Sequence, residues 1–170
     1  MSYLLDTCVV SEFAARQPSE KVIEWLSGLD PESAFISVVT VGEIQKGIDK
    51  LSPSKRKDAL REWLKDDLLV RFRDRMLPLE IGEMLTWGTL ISRIEAKGEP
   101  MPLIDSLIAA TALHHELVLV TRDEGRRPSG FAGSCAPGRS GCQGGAWRCP
   151  CAPQGGDPSK DGGRPDRVPV

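Results

Sequence analysis

Four short apolar runs, Tyr3-Leu4-Leu5, Ala34-Phe35-Ile36-Ser37-Val38-Val39, Met76-Leu77-Pro78-Leu79 and Leu117-Val118-Leu119-Val120, punctuate this chain, and longer stretches with apolar residues at helical spacing separate them. Runs this short have the length of buried strands rather than helices. Strands alternating with helices predict an α/β sandwich, because parallel strands need crossover connections that lay helices on the sheet faces. The helical stretches carry their own punctuation. Pro18-Ser19-Glu20 reads as a helix start with Val22, Ile23, Leu26 and Leu29 as its apolar stripe. A second helix is expected from near Thr40, with Thr40 as a candidate cap, and a third from Ser54 to about Phe72 with Leu60, Trp63, Leu64 and Leu68 inward. A fourth runs from about Glu80 to Ala96, with Met84, Leu85, Trp87, Leu90, Ile91 and Ile94 mostly in the core. Lys97-Gly98-Glu99-Pro100 supplies its stop. The last begins around Asp105 and ends at His114 and His115, where a cation beside the helix carboxyl end is favourable; neither histidine is read as a metal ligand or general base.

The pattern stops near Arg127. Residues 128–170 hold ten of the 17 Gly, seven of the 13 Pro and four of the five Cys, a composition that cannot bury enough apolar surface to offset its ordering entropy. The domain expectation is therefore a globular unit at residues 1–127 and a disordered Gly/Pro/Cys-rich tail at 128–170. About 125 globular residues suit one domain with a sizeable core. Cys135, Cys142, Cys149 and Cys151 lack the two-residue gap of paired-Cys zinc sites, so neither structural zinc nor a disulfide framework is expected. No run approaches the roughly 18–20 apolar residues that cross a bilayer, and none reads as a secretory signal, which makes the cytoplasm the expected compartment.

Chemistry is concentrated in four carboxylates. Asp6 and Asp123 stand at or just past the ends of strand runs, while Glu43 and Asp105 fall in what read as first turns of helices. Ligands of open α/β sheets bind at the carboxyl edge of the strands, and Mg²⁺ or Mn²⁺ takes hard oxygen donors from a few carboxylates plus water and phosphate. Without a cation, carboxylates brought together repel; with one, that repulsion becomes coordination. Taken singly, Asp105 and Glu43 read equally well as helix-start carboxylates and Asp123 as a turn residue. Cys8, beside Asp6, is read as a small packing residue and not a nucleophile, since no His is near it in sequence.

The local motifs resemble those of the PIN-domain ribonucleases, in particular the VapC and FitB-like toxins of type II toxin–antitoxin modules, over most of residues 2–123. Tyr3-Leu4-Leu5-Asp6-Thr7-Cys8-Val9-Val10-Ser11-Glu12 is similar to the family's first strand and following turn, with Cys8 where Asn is usual. Ile36 to Ile48 is similar to the segment bearing the family's Glu, here Glu43. Leu103-Ile104-Asp105-Ser106-Leu107-Ile108-Ala109-Ala110-Thr111-Ala112 resembles the helix bearing its third acid, and Val120-Thr121-Arg122-Asp123 the strand end bearing its fourth. After Asp123 the resemblance dissolves. The usual last strand and carboxyl-terminal ending are absent, and the abrupt change in composition resembles translation in a shifted frame.

The resemblance implies a PIN-like α/β/α sandwich around a central parallel sheet, its carboxyl-terminal strand lost. It also implies Mg²⁺- or Mn²⁺-dependent endonucleolytic hydrolysis of RNA by Asp6, Glu43, Asp105 and Asp123, and a homodimer bound to a VapB-like antitoxin through which DNA is met only indirectly. Thr7, Ser11 and Thr121 are the expected hydrogen bonders that orient the carboxylates. The alternative is a catalytically impaired, toxin-like subunit that acts as a binding module with a DNA-binding antitoxin. Lys55, Arg56, Lys57, Arg61 and Lys65 could meet RNA phosphates, although Asp58, Glu62, Asp66 and Asp67 on the same helix favour an ordinary solvated face.

Overall fold

The computed structural model describes residues 1–122, and within them the four apolar runs form one parallel sheet in the order β3-β2-β1-β4. The strands are β1 (Tyr3–Leu5), β2 (Ala34–Ser37), β3 (Met76–Leu77) and β4 (Val118–Val120). Tyr3 is in register with Ala34 on one side and Val118 on the other, and Ile36 with Met76. Side chains alternate across the sheet, and both faces are covered. Leu5, Ile36 and Val120 point into one cluster with Val9, Val10, Val22, Ile44, Leu64 and Leu68, whereas Leu4 meets Ile108 and Ala112 on the other face. Fully burying one such Leu contributes about 1.5–3 kcal/mol, so these few central residues hold the layers together.

The helices are α1 (Thr7–Val10), α2 (Glu20–Ser27), α3 (Val38–Asp49), α4 (Lys55–Glu62), α5 (Leu69–Arg71), α6 (Ile81–Ala96) and α7 (Leu103–His114). A 3₁₀ turn, Ser11–Ala14, follows α1, and a π-helical stretch, Trp63–Leu68, joins α4 to α5. That stretch keeps Leu64 and Leu68 inward while widening the turn, a feature that side-chain spacing does not reveal. On the second face, Ala109 and Ala110 of α7 sit against Leu90 and Ile94 of α6, small side chains letting the two helices approach closely. The stop after α6 is as expected: Gly98 takes φ +72° and donates its N–H to the Glu95 carbonyl at 2.9 Å.

Four sequence expectations change. The helix expected to start near Thr40 starts at Val38, because Ser37 is its cap and accepts from the Val39 N–H at 3.2 Å. Glu43 consequently lies in the second turn of α3, not the first, and Thr40 is an interior residue, wholly buried, not a cap. Met84 and Leu85, assigned to the core, are 42% and 70% exposed on α6, beside Ile81 at 79%. The helix pattern i, i+3, i+4 is the same for a stripe facing the core and one facing outward, so periodicity alone could not decide their side. The proposed tail, with its cysteines and the missing last strand, lies outside the described residues.

Candidate functional site

Parallel pairing puts the exits of β1 and β4 side by side. Leu5 is in register with Val120, and the N–H of Asp6 donates to the Val120 carbonyl at 3.0 Å. The chain leaves β1 toward β2 on one side and reaches β4 on the other, so Asp6 and Thr121 flank the place where strand order reverses, the usual position of a ligand crevice in open α/β sheets.

The carboxylate of Asp6 is held there by three donors. Its backbone is extended, and as the cap of α1 its Oδ1 accepts from the Thr7 N–H at 2.7 Å. Oδ2 accepts from the Thr121 hydroxyl at 2.6 Å and from the Cys8 thiol at 3.2 Å, in addition to the strand-like bond of its own N–H. Thr7 then turns its hydroxyl outward to Glu43 on α3, donating to Oε2 at 2.9 Å. One residue thereby ties together two carboxylates that are 37 positions apart in sequence. Neither Asp6 nor Glu43 is paired with a Lys or Arg among the described residues, although both are half-buried. A pair of carboxylates held by hydroxyl, thiol and amide donors, with no basic side chain against it among the described residues, has the donor chemistry that suits a hard divalent cation.

Asp105 is half-buried in the first turn of α7, as expected. Because α7 leads directly into β4 and packs on the sheet, it runs opposite to the strands, and its first turn comes to the carboxyl edge that carries Asp6. Of the expected orienting residues, Thr7 and Thr121 reach carboxylates. Ser11 does not: it is exposed, and its backbone N–H closes the turn onto the carbonyls of Thr7 and Val9. Asp123 lies one residue beyond the described residues.

Cys8 is more than packing. Its sulfur donates to Asp6, lies 3.4 Å from the Thr121 hydroxyl and accepts from the Arg122 N–H at 3.2 Å. Burial, and next the charge of Asp6, push its thiol pKa up, so it remains a protonated donor and not a thiolate. Glu12 received no role in the sequence reading. It is buried, accepts from the Ser19 N–H at 2.6 Å and pairs with Arg122, fastening the chain after α1 to the exit of β4. Its only signal in the sequence is an acid placed directly in the Ser11-Glu12-Phe13 turn.

The basic face of α4 is engaged locally. Lys57 donates to the carbonyls of Asp49 and Leu51 at 2.8 and 2.7 Å, and Arg61 pairs with Asp49 at 3.1 Å. Away from the carboxyl edge, Glu83 of α6 meets His114 and His115, whose ligand atoms and its own lie within 4.8 Å of one another.

Among the described residues, a carboxylate pair at the strand-exit crevice of a four-stranded parallel sheet defines an α/β protein with its candidate site at the carboxyl edge. The PIN domain family profile matches residues 3–127, and the chain belongs to that family. It is 37% identical over 122 residues to toxin FitB of Neisseria gonorrhoeae, covering 72% of this chain and 88% of that protein. It is 28% identical over 120 residues to the VapC ribonuclease Y4jK of Sinorhizobium fredii, covering 71% and 86%. The solved structure of FitAB bound to an IR36 DNA fragment superposes with a TM-score of 0.69 at 35% identity, covering 73% of this chain and 87% of that one. The PIN fold expected from the sequence is thus confirmed.

Proposed function

We propose that this chain is the toxin of a type II toxin–antitoxin pair and acts as a metal-dependent endoribonuclease. The observation that carries the reading is the Asp6–Thr7–Glu43 connection, two carboxylates at the carboxyl edge of the sheet that have no basic partner among the described residues. The relative Y4jK is a VapC ribonuclease, and FitB is a toxin.

Asp6, Glu43 and Asp105 are the carboxylates that would hold Mg²⁺ or Mn²⁺, with Asp123 assisting. When bound, such a cation lowers the pKa of a water and offsets charge on the scissile phosphate. The chain's own residues supply position. Thr121 and Cys8 fix one oxygen of Asp6, the Thr7 amide fixes the other, and the Thr7 hydroxyl fixes Glu43 through Oε2, leaving Oε1 without a hydrogen-bond donor among the described residues. Holding carboxylates in one geometry before substrate arrives removes reorganisation from the reaction.

The partners in this reading are an RNA substrate, a VapB-like antitoxin and a second copy of the chain. FitAB has been solved bound to a DNA fragment; in this reading it is the antitoxin that meets DNA, and this chain does so only indirectly. The exposed Ile81, Met84 and Leu85 offer an apolar surface suited to such contacts. In this reading the nuclease unit is residues 1–127, with the tail from 128 outside it. No helix among the described residues is long and apolar enough to cross a membrane, and action on RNA fits the cytoplasm.

The test is cleavage of RNA by the purified chain with Mg²⁺ or Mn²⁺, beside a chelator control and Asp6→Asn. Cleavage abolished by both supports the reading. Cleavage indifferent to both overturns it, and a folded, inactive chain that binds an antitoxin tightly makes it a binding module instead.

A further inference from the structure

The geometry points to a second cation site, for a transition metal of the zinc class, formed by Glu83 of α6 with His114 and His115 at the end of α7. It lies at the opposite end of α7 from Asp105. Asp105 and His114 are nine residue steps apart on the helix, roughly 13–14 Å along the axis, and His115 precedes the entry of β4, whereas Asp6 follows the exit of β1.

Each ligand is already oriented. Glu83 is 3% exposed, and its Oε2 is taken by the N–H of Glu80 at 3.0 Å in the capping box that starts α6. Its Oε1 faces His115 Nε2 at 2.7 Å. His114 is set by Thr86. The Thr86 hydroxyl lies 3.0 Å from the Gly82 carbonyl, to which it donates, and 3.3 Å from His114 Nδ1; with its proton on the carbonyl, the Nδ1 contact is assigned as Nδ1–H donating to the hydroxyl oxygen. That assignment leaves His114 Nε2 with a free lone pair, and a hydrogen bond at the other ring nitrogen is the usual way a metal-binding histidine is oriented. The two imidazoles meet edge to face, with centroids 5.1 Å apart.

Gly82 completes the arrangement. A Cβ at position 82 would lie 2.6 Å from His114 Cε1 and 2.7 Å from Nε2, so the ring occupies space that a side chain would fill. The carboxyl of Glu83 also stays ionised readily. Burial would raise its pKa, but the N–H groups of Glu83 and Glu80 and the contact with His115 outweigh that and hold it below the usual carboxylate range.

Two imidazoles and one carboxylate are the donors of a tetrahedral zinc site with water in the fourth position, whereas Mg²⁺ prefers oxygen alone. With metal–ligand bonds of about 2.0–2.1 Å, tetrahedral donors stand roughly 3.3 Å apart, so small side-chain rotations suffice from the observed separations. On binding, the cation takes the place of the proton between His115 Nε2 and Glu83 Oε1, and that proton leaves to solvent or to His115 Nδ1. The bound ion would clamp the start of α6 to the end of α7, beside the exposed Ile81 and Leu85.

The test uses the full chain with Cys135, Cys142, Cys149 and Cys151 changed to Ser, in excess Mg²⁺ to occupy the carboxylate edge. Zn²⁺ is titrated by calorimetry and Co²⁺ by visible absorption. One ion per chain is expected, with tetrahedral Co²⁺ bands and a rise in melting temperature. His114→Ala, at an exposed position that should fold normally, lowers affinity at least tenfold, and Gly82→Ala lowers it by displacing the His114 ring without removing a ligand. Absence of a bound ion in the folded chain, or affinity unchanged by His114→Ala, overturns the site.

Discussion

Thr7 joins the two best-positioned carboxylates of the site, its amide on Asp6 Oδ1 at 2.7 Å and its hydroxyl on Glu43 Oε2 at 2.9 Å. Thr7→Val keeps the shape and the amide but removes the hydroxyl, leaving Glu43 unanchored. Loss of such orienting partners typically costs about 10–100-fold in metal affinity or activity. Initial RNA cleavage rates measured against Mg²⁺ concentration should show a raised metal requirement for Thr7→Val and near-normal behaviour for Thr7→Ser. Identical curves for all three would remove Thr7 from the positioning of the site.

Cys8 gives a prediction in two parts. Because burial and Asp6 keep the thiol protonated, alkylation by iodoacetamide at neutral pH should be slower than that of a free cysteine, accelerating only well above the ordinary thiol pKa of about 8.5. Cys8→Asn places an amide donor where the thiol donates to Asp6, so activity should be retained or raised, whereas Cys8→Ala should lower it. Rapid alkylation of Cys8 in the folded chain would contradict the protonated assignment.

Thr40 has a wholly buried hydroxyl oxygen with no hydrogen-bond partner among the described residues. Thr111, also buried, avoids this by donating to the Leu107 carbonyl at 2.9 Å. An unsatisfied buried polar group costs about 1–3 kcal/mol. Thr40→Val should therefore raise the urea midpoint, with a gain on the order of 1 kcal/mol, and a fall instead would show that the hydroxyl has a partner in solution.

Glu12 and Arg122 form an ion pair in which Glu12 is 7% exposed and Arg122 43%. Arg122→Ala leaves Glu12 its Ser19 N–H, and water can reach the vacated side. The loss should be modest, on the order of 1–2 kcal/mol in urea unfolding. Glu12→Ala, which also strips the Ser19 amide of its acceptor, should cost more. Equal effects would mean that the Arg122 contact supplies the whole contribution of Glu12.

Strand-length apolar runs and helix stops determined the layered α/β plan, because burial on both sheet faces and Gly or Pro punctuation act within a few residues of sequence. Leu4 and Leu5 illustrate this: adjacent in sequence, they enter opposite cores by the alternation of any strand. The local pattern likewise put Asp6 at the exit of β1 and Asp105 in the first turn of α7, whereas Glu43 falls a turn later than expected. What sequence could not decide is which side chains meet across the fold. Whether Ser37 or Thr40 caps α3 depends on where β2 ends, and that is set by pairing with β1 and β3. Leu85 faces outward because α6 packs through Leu90 and Ile94 onto α7. The Cys8 thiol becomes a donor to Asp6 only because β4 brings Thr121 and Arg122 beside it from 113 and 114 positions away. Local patterns encode elements, but hydrogen bonds are short-range and directional, so partners from distant parts of the chain exist only once the sheet has fixed its order and register.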